Sequence, residues 1–178
     1  MSERSSFYAR VRLSPEAFWK FLKASIPPVS RFQDWGEFRP HAPEFLGDVR
    51  YPGLNSNEEW LNQLPKRAET CAGWAYDSAK QEFICYDLWL DESVVEYVTV
   101  IHVVRALADF KDTPDEDYAM IFPMFWSGGV DVVCQICRGS SSLHEKEPDT
   151  AEFREFFALA EAEARKIAIG DGLDDENG

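Results

Sequence analysis

The stretch CAGWAYDSAKQEFICYDLWL, residues 71–90, decides the fold class. Its two aromatic and β-branched runs, about 71–77 and 82–89, flank the polar residues Ser78 to Lys80, a pattern typical of two strands joined by a turn. A second hairpin is predicted where YAMIFPMF and VDVVCQICR flank a turn at Ser127 to Gly129. Hairpins make antiparallel neighbours, so the sequence predicts an antiparallel sheet and excludes a doubly wound parallel one.

Segment 92–109 is the ambiguous one, because its many β-branched residues favour a strand. Its polar residues nevertheless recur every three or four positions, which places them in one stripe on a helix, whereas a strand would scatter them over both faces. The stripe consists of Glu96, Thr99, His102, Arg105 and Asp109. We therefore predict a mostly buried helix here.

The remaining elements follow from local signals. Alternation over residues 7–13 predicts a half-buried strand, and helices are predicted at 15–25, near 57–64 and between a cap at Asp149 and Gly170. Polar residues 139–148 are typical of a linker. The expected fold is a single α+β domain over residues 1–169, with about five strands, mainly in an antiparallel sheet built from hairpins, packed with about four helices. Residues 170–178 are expected to be a mobile acidic tail.

The chain is strongly acidic, with 32 Asp and Glu against 18 Lys and Arg and a net charge of −14 on 178 residues. Such charge repels phosphate backbones and anionic lipid surfaces and speeds encounters with cationic proteins. Many proteins are acidic merely because charge favours solubility. No secretory signal or membrane span of roughly 20 apolar residues is present in the sequence, so we expect a cytoplasmic protein that binds neither nucleic acid nor membrane.

No motif in the sequence indicates catalysis, a cofactor or a metal. Cys134 and Cys137 form one CxxC pair, but on a strand residues three apart point to opposite faces, so two core thiols are expected. The three histidines, at 41, 102 and 144, lack the pattern of a nucleophile and its base. Clustered carboxylates leave open a small metal-dependent hydrolase as an alternative, but the sequence favours a protein that is not an enzyme.

The long connection, residues 27–56, interleaves aromatic and acidic side chains. Structureless connections of this length are uncommon and usually functional or disordered. The aromatics could anchor a basic partner, with carboxylates around them, or could fold back over the sheet. We take as candidate contacts the residues of this connection and of the acidic loop 110–117, namely Asp34, Trp35, Glu37, Phe38 and Asp48 with Asp112, Asp115, Glu116 and Asp117.

These features predict an acidic inhibitor that binds a cognate toxin or effector protein through a basic surface on that partner. By size and charge, and not by any motif, it is similar to the immunity proteins with which bacteria neutralise secreted toxins, nucleases among them. An acidic secretion chaperone or adaptor is the alternative, and it would expose an apolar groove or sheet edge and dimerise. We expect a monomer.

Overall fold

A computed structural model describes residues 5–37, 51, 53–64, 71–90, 94–123, 131–144 and 146–170, with the backbone alone at a few positions. Phe38 and Asp48, two of the candidate contact residues, lie outside the described residues. So do most of the long connection, the turn predicted at Ser127 to Gly129 and residues 171–178.

The described chain contains an antiparallel sheet in which every strand runs opposite to its neighbours. The spatial order is β2-β3-β1-β4-β5-β6. The strands are β1 (Ser5–Arg12), β2 (Ala72–Asp77), β3 (Glu82–Leu90), β4 (Asp117–Pro123), β5 (Val132–Cys137) and β6 (Ser140–His144). The predicted α+β class is confirmed, and the sheet has six strands where about five were expected.

The extra strand is β6, which falls in the segment expected to be a linker. It pairs with β5 from Ser140 to His144 after a turn in which Gly139 has φ +79°, a conformation that favours glycine. Its sequence SSSLH lacks apolar alternation because β6 is the outermost strand and buries only Leu143. A polar edge strand has almost none of the hydrophobic alternation by which strands are predicted from sequence.

Four α-helices flank the sheet in the described residues. They are α1 (Pro15–Lys23), α2 (Asn57–Leu61), α3 (Val94–Arg105) and α4 (Ala151–Gly170). The helix predicted over 92–109 is confirmed as α3, which continues into a 3-10 turn over Ala106–Asp109.

Helix caps explain where three of the helices begin. Ser14 Oγ accepts the Ala17 N–H at 3.2 Å and Pro15 occupies the first turn of α1, as predicted. Ser56 caps α2, so Asn57 lies inside the helix. At α4 the cap is Thr150, whose Oγ1 accepts the Phe153 N–H at 3.1 Å, one residue after the predicted Asp149.

Helices cover both faces of the sheet, so the first part of β1 is buried on both sides, whereas the half-buried character predicted for the strand holds only towards its end, where Arg10 and Arg12 are partly exposed. Phe7, Ala9 and Val11 pack in the larger core beneath α1 and α3. Tyr8 points to the opposite face, where its ring centroid lies 6.0 Å from that of Phe156 in α4. The alternation does not show the burial of Tyr8, because a tyrosine can be either buried or exposed.

Candidate functional site

The beginning of the long connection folds back over the polar stripe of α3. Trp35 is only 2% exposed, and its Nε1–H donates to the Val29 carbonyl at 3.1 Å. The Arg105 guanidinium lies 4.2 Å from the Phe32 ring centroid and 4.9 Å from that of Trp35. Phe32 and Trp35 therefore belong to the core, in accord with the second of the two alternatives left open for this segment.

Asp34 lies in the same segment and joins α3 to the edge of the sheet. Its Oδ1 accepts from Arg105 Nη2 at 2.5 Å, and its Oδ2 accepts the Leu143 N–H of β6 at 2.9 Å. The Arg105 side chain is 1% exposed and that of Asp34 is 29% exposed. The charge of Asp34 is thus neutralised within the protein.

His102 occupies the middle of the α3 stripe and is fully buried. Tyr51 Oη lies 2.6 Å from its Nδ1. Burial lowers the pKa of His102 from 6.5 to about 4, so the ring is neutral at pH 7. Two residues of the polar stripe that identified α3 in the sequence, His102 and Arg105, are therefore internal contacts with the connection.

The acidic loop is fixed to β1 and α1 by its own carboxylates. Asp117 is buried, and it accepts from the N–H and Nε of Arg12 at 2.9 and 2.7 Å and from Lys111 Nζ. Asp112 accepts the Ser14 N–H at 2.9 Å, and hydrogen bonding with Ser14 lowers the pKa of Asp112. Asp117 is a structural residue here, and Asp112 holds the loop beside the start of α1.

The other two carboxylates of the loop are exposed. Asp115 Oδ1 lies 3.5 Å from Arg12 Nη1. Glu116 Oε2 accepts from Tyr118 Oη at 3.1 Å and from Gln135 Nε2 at 2.8 Å. These contacts orient both side chains towards solvent at one end of the sheet.

Further acidic residues lie at this end of the sheet. The β2–β3 turn is held there because the Leu13 N–H donates to the Gln81 carbonyl at 3.0 Å. We define the acidic rim as the exposed carboxylates of α1, of the last residue of β2 before this turn, and of the acidic loop: Glu16, Asp77, Asp112, Asp115 and Glu116. The structure thus brings Asp112, Asp115 and Glu116 together and places Asp34 and Trp35 elsewhere. For Glu37 it describes the backbone alone, in the turn Trp35–Glu37.

An exposed aromatic residue that the sequence analysis missed lies on α1. Trp19 is 55% exposed, while its neighbour Phe18 is buried. The Phe18 ring lies 6.1 Å from the rings of Trp19 and Trp74 and stacks on Tyr76 at 4.2 Å. The helical spacing of the predicted buried positions 18, 21 and 22 leaves position 19 at the border of that face, which was the signal available.

In the described part of the chain, little indicates a metal site, a reactive thiol or a ligand pocket. No three of its His, Cys, Asp and Glu side chains are grouped so as to hold a metal ion. Cys134 is a core thiol, as expected, and burial raises its pKa to about 12. Cys137 is only half-buried at the end of β5, so the expectation of a second core thiol is wrong. An open cavity of about 380 Å³ lies beside Arg31 and Arg105, each of which already contacts an aspartate.

Comparison with family models, with curated proteins and with solved structures finds no match to this chain. Among the helices described, none has both the length and the apolar character needed to cross a membrane.

Proposed function

We propose that the protein is an inhibitor that binds a basic protein partner, in the way that a bacterial immunity protein neutralises its cognate secreted toxin. The observation that carries this proposal is the acidic rim. Its carboxylates at Asp112, Asp115 and Glu116 are exposed and yet held by hydrogen bonds or an ion pair. Side chains that are already ordered lose little conformational entropy when a partner binds.

Nearby cations offset only part of this surface. Glu16 pairs with Lys20, Asp77 with Lys80 and Asp115 with Arg12. Asp112 and Glu116 form no ion pair with another described residue, and Lys111 is buried against Asp117. With a net charge of −14, the protein would attract a cationic partner over a distance and accelerate association at low salt. Surfaces that bind nucleic acid are basic, so a nuclease toxin is one class of partner that fits.

Inhibition of this kind needs no catalytic residue, metal or cofactor in the inhibitor, because covering the active surface of the partner is sufficient. We place the protein in the cytoplasm as a monomer, where it would meet an incoming toxin. The secretion chaperone remains the second candidate, since Trp19 is exposed close to β2, the outermost strand at one side of the sheet. A chaperone would dimerise and bind unfolded segments of its effector.

The test is co-expression with the product of the neighbouring reading frame. We expect the protein to rescue cells from that product and to co-purify with it as one copy of each. The association rate of the purified complex should fall as salt rises, since the Debye length shortens from about 10 Å at 0.1 M to about 3 Å at 1 M. A salt-independent association rate would count against the acidic rim.

Charge reversal locates the contact. Asp115→Lys should slow association about threefold to tenfold at low salt and change dissociation less. Glu58→Lys is the matched control, because Glu58 is also exposed but lies in α2, beside the C-terminal end of α1 and away from the rim. Equal effects of the two substitutions would mean that only overall charge matters and that the rim is not the contact.

A further inference from the structure

We infer that the partner docks on the outer edge of β2 by adding an extended, positively charged segment to the sheet as a further strand. The inference rests on the proposed function in one respect, namely that the partner is basic. It adds the backbone of β2 and the rings of Trp19 and Trp74 to the contact.

The hydrogen-bond phase of the β2–β3 ladder shows which backbone groups point outwards. The Leu88 N–H donates to the Cys71 carbonyl at 3.0 Å, so this pair is a hydrogen-bonded one. In an antiparallel ladder the bonded pairs recur every second residue. The N–H and C=O groups of Ala72, Trp74 and Tyr76 therefore point away from β3, and the described residues hold no acceptor or donor bonded to them.

The opposite edge of the sheet is closed by the chain itself. There the Leu143 N–H of β6 is capped by the Asp34 carboxylate at 2.9 Å. Proteins usually protect an exposed edge with lysine, proline or a bulge. The sequence of β2, AGWAYD, contains neither lysine nor proline, and its pairing with β3 runs without a shift of register.

Side chains beside this edge provide an apolar surface on one face. Trp74 and Tyr76 are half-buried against Phe18, and the exposed Trp19 lies next to Phe18 on α1. In a strand added to β2, alternate residues would point towards these rings. Aliphatic side chains at those positions would bury the open parts of Trp74 and Trp19.

Charge at the end of the edge determines which segment fits. Asp77 ends β2 and is exposed. Burial raises the pKa of Tyr76, and the charges of Asp112 and Asp77 raise it further, which places both carboxylates near this end of β2. A segment with lysine or arginine at that end would meet these carboxylates. A second copy of this chain would bring a further charge of −14 to the interface, which disfavours pairing of two β2 edges.

The probe is the peptide Lys-Val-Lys-Val-Lys-Val-Lys-Val amide, with the same peptide carrying Glu in place of Lys as control. Amide hydrogen exchange measured by NMR reports each backbone group separately. With the lysine peptide we expect exchange at Ala72, Trp74 and Tyr76 to slow at least tenfold, and with the glutamate peptide to stay unchanged. Unchanged exchange with the lysine peptide at millimolar concentration would overturn the inference. Slowed exchange that depends on protein concentration without peptide would also overturn it, because the occupant would then be a second copy.

Two substitutions test the edge itself. Ala75→Lys adds a cation beside the docking strand and should weaken binding of the lysine peptide about threefold or more, whereas Ala158→Lys, at an exposed position of α4, should not. Ala72→Pro removes one outward N–H and should also weaken binding. A thermal melt of each variant must match that of the wild type. If Ala75→Lys and Ala158→Lys weaken binding equally, the peptide binds by charge alone and the inference fails.

The outcome separates this inference from the proposed function. If Asp115→Lys weakens the natural complex while Ala72→Pro and Ala75→Lys do not, the acidic rim is the contact surface of the proposed inhibitor. The inference that the partner adds a strand to β2 is then wrong. If the lysine peptide protects β2 but no basic protein is inhibited, the docking edge stands and the inhibitor proposal fails.

Discussion

Removal of the Asp34 carboxylate should destabilise the fold although Asp34 lies in a segment with little regular structure. Asp34→Ala leaves the buried Arg105 guanidinium without its carboxylate and the Leu143 N–H without its acceptor. Removing one partner of a fully buried ion pair costs about 3–5 kcal/mol. Asp34 is 29% exposed, so water can partly replace it and we take about 2 kcal/mol. The lost backbone hydrogen bond adds about 1 kcal/mol.

The assay is urea unfolding at pH 7, in which Asp34→Ala should lower the free energy of unfolding by about 3 kcal/mol. In an Arg105→Met background the same substitution should cost only about 1 kcal/mol, because only the Leu143 contact is then lost. Asp149→Ala is the control, since Asp149 and its partner Arg154 are 96% and 69% exposed, and it should cost less than about 0.5 kcal/mol. If Asp34→Ala and Asp149→Ala lower the free energy of unfolding equally, the contacts by which Asp34 joins α3 to β6 contribute nothing to stability, and the reasoning is refuted.

Three further predictions concern burial. The pKa of His102 is about 4 in the folded protein against 6.5 for the free side chain, so the unfolded chain binds the proton first on acidification. The stability that comes from burying the neutral His102 ring should be fully present above pH 6.5 and lost as the pH falls towards 4. An NMR titration that places the His102 midpoint above 6 would contradict this prediction. Trp19→Ala should change the free energy of unfolding by less than about 0.5 kcal/mol, while Trp60→Ala, at a buried position, should cost about 3–5 kcal/mol in the same urea assay. The thiols of Cys85 and Cys134 are fully buried and should react with a thiol reagent only in denaturant; rapid labelling of either thiol in the native protein would show that the core opens.

The hairpin over 71–90 and helix α3 could be predicted because each has a local pattern that repeats within its own length. The alternation and polar turn of the hairpin match β2 and β3 within one residue at each end. The polar stripe of α3 indicated a helix correctly, although the sequence could not show that His102 and Arg105 would be buried. Their partners, Tyr51 and Asp34, come from a segment at least 50 residues away in the chain.

The candidate site was only partly accessible to sequence reasoning. The acidic loop was recognised from its composition, yet its four carboxylates differ in role: Asp117 is buried in an ion pair, while Asp115 and Glu116 are exposed. The composition of the loop is the same whether a given carboxylate is buried in an ion pair or exposed to solvent. The position of Arg12 in the neighbouring strand β1 decides between them, since β1 pairs with β4 and brings the arginine beside Asp117.

By itself the sequence determined the α+β class, the positions of the long helices and the excess of negative charge, because these follow from periodicity and from counting. Only the tertiary structure decided which acidic and aromatic side chains face the solvent. Exposure depends on contacts between residues distant in the chain, such as the one between Asp34 and Leu143, 109 residues apart. For that reason Trp35, which the sequence analysis selected, lies in the core, and Trp19, which it passed over, lies on the surface.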